Sequence, residues 1–189
     1  MEEEIEYIKF HISNESKYLD MKSVYSSIAQ AKNNCEPKSI ERWLEIFPDY
    51  SIKQFYFSDR DVKPIIKTAS KEEGVWRFTG MIKLLQQDLD VKLKNCEKME
   101  DIGRIEFSPN GYPYGGITGL TMFLNSFDCK ATEIYDGGDK YLVNWTNSNE
   151  FELSAINESP LKNHKTKTTS NQQNIGMVDK IKNLFSSKF

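Results

Sequence analysis

Apolar and polar positions change period along this chain, and the changes mark its elements. Over residues 5–12, Ile8, Phe10 and Ile12 alternate with Tyr7 and His11, which predicts a strand. Over residues 16–32 the spacing lengthens. Leu19, Val24, Ile28 and Ala31 predict a helix, stopped by Asn33-Asn34. Pro37 suits the first turn of a second helix, where its missing N–H has no partner to lose. Ile40, Trp43, Leu44 and Phe47 form that helix's apolar stripe, and Pro48 closes it. Ile52, Phe55 and Phe57 predict a strand that ends at the polar turn Ser58-Asp59-Arg60-Asp61. After a short extended stretch at 75–78, Thr79 is the expected cap of a helix bearing Met81, Ile82, Leu84, Leu85 and Leu89. Val91, Leu93 and Asn95 alternate with Lys92 and Lys94 as a strand, and Ile105 and Phe107 belong to another.

The next block, residues 104–120, reads as a strand, a glycine- and tyrosine-rich turn and a helix start. Four of the ten glycines fall within residues 111–119. The helix that follows carries Ile117, Leu120, Met122, Phe123, Leu124 and Phe127. A hairpin then joins 130–135 to 140–145 through Asp136-Gly137-Gly138-Asp139. Gly-Gly accommodates both positive φ values of a type I′ turn. That turn sets Ile134 opposite Tyr141 and places Thr132, Ile134, Tyr141, Val143 and Trp145 on one buried face. Phe151, Leu153 and Ala155 mark a last strand.

The expected fold class is therefore α+β: a mixed, largely antiparallel sheet with helices packed on one face. Residues 1–160 are expected to form the globular domain. Residues 161–176, almost all Lys, Asn, Thr, Ser and Gln, bury too little apolar area to offset chain entropy and read as a polar linker. Residues 177–189 read as an amphipathic C-terminal helix with Ile181, Leu184 and Phe185 on its apolar face.

Composition adjusts this picture in three ways. Of 189 residues, 12% are aromatic, enough to fill a core, so disorder over the whole length is excluded. The net charge of −3 and only four arginines argue against nucleic acid as a partner. Cys35, Cys96 and Cys129 show no metal-binding or disulfide spacing. With no secretory leader and no bilayer-length apolar run, a cytoplasmic setting is expected.

Candidate chemistry is sparse. At the Gly-Tyr block, Gly115 and Gly116 would offer backbone N–H groups at a helix N-terminus. Tyr112, Tyr114 and Thr118 would add hydroxyls. The block suits an anion or a peptide, and equally a tight structural turn. It matches no nucleotide fingerprint. The carboxylates Glu106, Glu133, Asp128, Asp136 and Asp139 carry no spacing that pairs any two for acid–base work, and read as solvated surface. His11 and His164 are the only histidines, so neither a nucleophilic triad nor a zinc site is expected. No metal or other cofactor is expected.

The reading that follows is a non-catalytic protein-binding module, of the inhibitor or immunity type. It would neutralise a basic-surfaced partner enzyme, with Asp128, Asp136 and Asp139 steering the encounter. Two alternatives stand beside it. One is a small enzyme that binds an anionic or acyl substrate at the Gly-Tyr turn. The other is an adaptor acting through Ile181, Leu184 and Phe185, a helix that fits docking on a partner and packing on its own domain alike.

Overall fold

The computed structural model describes residues 5–88, 91–109 and 116–156. The expected linker and C-terminal helix lie outside them. The described chain is an α+β fold. Its strands are β1 (Glu6–Ile12), β2 (Val91–Met99), β3 (Ile102–Pro109), β4 (Cys129–Tyr135), β5 (Lys140–Trp145) and β6 (Phe151–Ala155). Its helices are α1 (Glu15–Asn33), α2 (Ile40–Ile46), α3 (Asp49–Ile52), α4 (Phe78–Lys83) and α5 (Gly116–Asn125). The sheet order is β2-β3-β1-β4-β5-β6, and every neighbouring pair is antiparallel.

Local chemistry sets the helix bounds. Asn14 caps α1, its side-chain oxygen accepting from Lys17 N at 3.1 Å. The buried stripe of α1 is Tyr18, Met21, Val24, Tyr25, Ile28 and Ala31. Leu19 lies off it and is 55% exposed, contrary to the sequence expectation. α2 opens at Ile40 with Ser39 as its cap, accepting from Arg42 N, so Pro37 precedes the helix instead of lying in its first turn. Thr79 lies inside α4, whose flanking residue is Arg77; its hydroxyl donates to Asp61 instead. After Lys83 the chain widens into a π turn over Leu84–Asp88.

The strand expected around residues 52–57 does not form. Ile52 ends α3. Only Tyr56 makes a bridge, a parallel one to Arg77. Phe55 and Tyr56 are buried nonetheless, because Tyr56 N donates to Trp76 O and Phe78 N donates to Tyr56 O. The aromatic run is thus a pinned loop under the helices.

Two bulges shift the side-chain phase of the sheet. Between β1 and β4 the register moves from Lys9↔Glu133 to Phe10↔Ala131. Thr132 is the extra residue; it is exposed, and Cys129 and Ala131 take the buried positions. Between β2 and β3 the register moves from Leu93↔Phe107 to Cys96↔Ile105, which turns Asn95 outward and Cys96 inward. The hairpin register is the expected one, with Ile134 opposite Tyr141. Its turn differs: Gly137 alone takes a positive φ, of 89°, where type I′ needs two.

The helices cover the face carrying Ile8, Phe10, Ile105, Phe107, Ala131 and Ile134, all in one continuous core. Gly103 is part of how that core closes. It lies opposite Phe10, and a Cβ there would fall 2.1 Å from Phe10 Cε2. The ring is fully buried and cannot swing aside. Gly103→Ala is therefore expected to destabilise the protein by about 2–3 kcal/mol, measured as a lowered urea midpoint with an unchanged slope.

Candidate functional site

The other face of the sheet is left uncovered by every described element. On β1 it receives the polar half of the alternation, Tyr7, Lys9 and His11. The flanking strands add one residue to each row. One row across the sheet runs Glu97, Arg104, Lys9, Glu133, Leu142 and Ser154. The next runs Glu106, Tyr7, Tyr135 and Lys140. Lys9 and Arg104 are thus directly opposite like charges, which alone would be unfavourable. Carboxylates on the neighbouring positions neutralise them. Lys9 Nζ lies 2.8 Å from Glu133 Oε1, and Arg104 Nη2 lies 2.8 Å from Glu106 Oε1.

Tyr7 ties the rows together. Its hydroxyl donates to Glu133 Oε1 at 2.8 Å. The Arg104 guanidinium sits 4.1 Å from its ring centroid and Lys9 Nζ 5.3 Å, while the Tyr135 ring lies 5.4 Å away. Partial burial pushes the Glu133 carboxyl up, but the hydrogen bonds from Lys9 and Tyr7 outweigh it, and the group sits below its ordinary value. Burial, then the Glu133 bond, pushes the Tyr7 phenol up. At neutral pH the cluster therefore presents a carboxylate and two held cations, fixed in place by the buried Tyr7, whose hydroxyl is committed to Glu133. Such an array fits complementary groups of another molecule with little side-chain entropy left to lose. Apolar side chains border it: Leu142 is 48% exposed, Met99 79% and Ile102 38%.

The residues singled out from the sequence are dispersed by comparison. Tyr112, Tyr114 and Gly115 lie outside the described residues, as do Ile181, Leu184 and Phe185. Gly116 opens α5, and Thr118 is half-buried in its first turn. Gly119 has a packing role, since a Cβ there would meet Leu84 Cδ2 at 2.4 Å. Asp128 is exposed, pairs with Lys17, and accepts through its carbonyl from Ser13 Oγ at 3.2 Å. Asp136 caps the hairpin turn, its Oδ1 accepting from Gly138 N at 3.1 Å and Asp139 N at 2.8 Å. Asp139 is exposed at the same turn. Asp128 precedes the seven residues of β4 and Asp136 follows them. About 23 Å of strand therefore separates the two.

His11 is at the Asp128 end of the sheet, 3.4 Å from Asp101, with both side chains exposed. Burial pushes the Cys96 thiol up to about 11 and the Cys129 thiol up to about 12, so both stay protonated core groups. No group of three or more metal-ligating side chains occurs among the described residues. No described helix is long and apolar enough to cross a membrane.

Sequence reasoning missed Tyr7, Lys9 and Arg104 as site residues, and it left Glu106 and Glu133 unpaired. The signal within reach was the polar half of the β1 alternation. Compared with protein-family models, curated proteins and solved structures, the chain matches none of them.

Proposed function

We propose that this chain is a protein-binding module that recognises its partner through the uncovered sheet face, as an inhibitor or immunity-type protein does when it covers an enzyme's surface. The observation that carries this reading is the ordered Arg104–Tyr7–Lys9–Glu133 array at the centre of that face. Tyrosine and arginine are the residue types that most often dominate binding energy at protein interfaces, and they do so from the centre of the patch. Here Arg104 is central, already paired with Glu106, stacked on the buried ring of Tyr7 and bordered by exposed apolar side chains. The face presents both signs of charge. It suits a partner surface on which acidic and basic groups alternate, with Asp136 and Asp139 meeting basic groups at one end.

Arg104→Ala is expected to weaken partner binding at least tenfold, because it removes a central cation and leaves Glu106 without its mate. Its melting temperature should stay within a few degrees of the parent's, since a partly exposed surface pair contributes little to folding. Leu19→Ala, on the exposed side of α1, serves as the control and should bind normally. Titration calorimetry against the captured partner measures both. Equal affinity for Arg104→Ala and the parent would remove the reading.

A further inference from the structure

The two edges of the sheet are treated differently. β2 is defended against strand addition in the ways natural edges usually are. It carries Lys92, Glu97 and Lys98 at exposed positions and a bulge between Leu93 and Cys96. The Asn33 amide also donates to Leu93 O at 3.3 Å. β6 has fewer of them, a single exposed charge at Glu152 and no bulge. It contains no proline and no lysine, and it pairs with β5 in unbroken register from Trp145↔Phe151 to Tyr141↔Ala155.

The hydrogen-bond phase of β6 follows from its ends. Thr146 N donates to Glu150 O at 3.0 Å, and Ile156 N donates to Lys140 O at 2.8 Å. Even-numbered residues therefore turn their backbone groups toward β5. Phe151, Leu153 and Ala155 turn theirs outward. That is a short edge whose outward pairing groups no described strand takes up.

We propose that β6 pairs antiparallel with β6 of a second copy of this chain, about a two-fold axis at Leu153, joining two sheets into one. The pattern of β6 is self-complementary in this register and in no need of a foreign strand. Leu153 faces the partner's Leu153, and Phe151 faces the smaller Ala155 of the partner subunit. Glu152 faces the uncharged Ser154 of the partner subunit, so no like charges stand opposite each other. The interface is of the isologous kind that closes at a dimer. A five-residue strand buries less than the roughly 800 Å² per partner of a stable complex. The dimer is accordingly weak and concentration-dependent. This inference is independent of the role proposed for the uncovered face.

Sedimentation equilibrium of the full chain between about 10 and 500 µM tests it. The weight-average mass should rise from the 22.0 kDa of one chain toward twice that. Ser154→Lys, which sets a cation opposite the partner's Glu152, should tighten association about fivefold at low salt. Ser154→Glu should loosen it by a similar factor. Ala155→Pro removes an outward N–H that β5 does not use. It should leave a monomer with an unchanged melting temperature. If the proline variant fails to fold, the opposed effects of the two charge variants still decide. A single-chain mass at every concentration would overturn the proposal, whether residues 157–189 or a foreign strand hold the edge instead. Shifts of the same sign in both charge variants would overturn it as well.

Discussion

Phe47→Ala is expected to lower the free energy of unfolding by about 4 kcal/mol. Phe47 closes α2 at its C-terminal end and is 3% exposed. Its ring is the meeting point of the helical layer. It lies 5.2 Å from Phe78, 5.8 Å from Phe127, 6.1 Å from Phe123 and 6.2 Å from Trp43, three of these contacts edge-to-face. Truncation would leave a cavity bounded by other rings. Those rings are themselves held. Trp43 Nε1 donates to Gln86 Oε1 at 3.0 Å, and the Ser51 and Ser126 hydroxyls meet at 2.8 Å beneath the layer. Walls fixed in this way cannot collapse to fill the space, which puts the cost in the upper part of the range for such truncations. Guanidinium denaturation measures it. A loss under about 1.5 kcal/mol would mean that the aromatic layer repacks freely.

Asp61→Ala is expected to cost about 2–3 kcal/mol and to release the segment between α3 and α4. The Asp61 side chain is 5% exposed. Arg77 engages it through Nη2 and through Nε at 2.8 Å. Ser58 N donates to it at 2.7 Å, Ser58 Oγ at 2.9 Å and Thr79 Oγ1 at 3.1 Å. One carboxylate thereby fastens the loop after Phe57 to the start of α4. The cost stays below that of a fully buried broken pair because Arg77, 40% exposed, can rehydrate.

The Arg77 hydrogen bonds hold the Asp61 carboxyl well below its ordinary value of 3.8, against the opposing effect of burial. A depressed folded-state value means that the native protein binds fewer protons than the unfolded chain. The contribution of Asp61 is therefore fully present above pH 4–5. It fades as pH falls through 3.8 toward the folded-state value. The gap between parent and Asp61→Ala should be widest at pH 7 and should narrow by pH 3, read as denaturant midpoints.

Where the sequence showed the fold, it did so through local periodicity. The β1 alternation and the Gly-Gly hairpin register needed only neighbours along the chain. Thr132 and Asn95 were assigned to the wrong face because a bulge adds one residue to one strand, and only the partner strand reveals it. Ile52, Phe55 and Phe57 read as a strand because they are apolar and alternate loosely, whereas the backbone of Phe55 bonds to Ile52 and Ala69 and that of Tyr56 to Trp76 and Phe78, in a loop. The Leu19 assignment failed because the stripe that holds Val24, Ile28 and Ala31 continues toward the start of α1 through Met21 and Tyr18, which leaves Leu19 off it. The candidate site was the least legible part. Tyr7 and Glu133 are 126 positions apart, and nothing local in either segment announces that β1 lies between β3 and β4.

Site-specific photo-cross-linking in the native cell tests the central claim, recognition through the uncovered sheet face. A photoreactive phenylalanine analogue is placed at Leu142, beside the charged array, or at Leu19 on the opposite layer. Quantitative mass spectrometry should find one protein enriched at position 142 over position 19. The enrichment should vanish when Arg104→Ala is added. Equal capture at both positions, or capture at 142 that is indifferent to Arg104, would contradict the account.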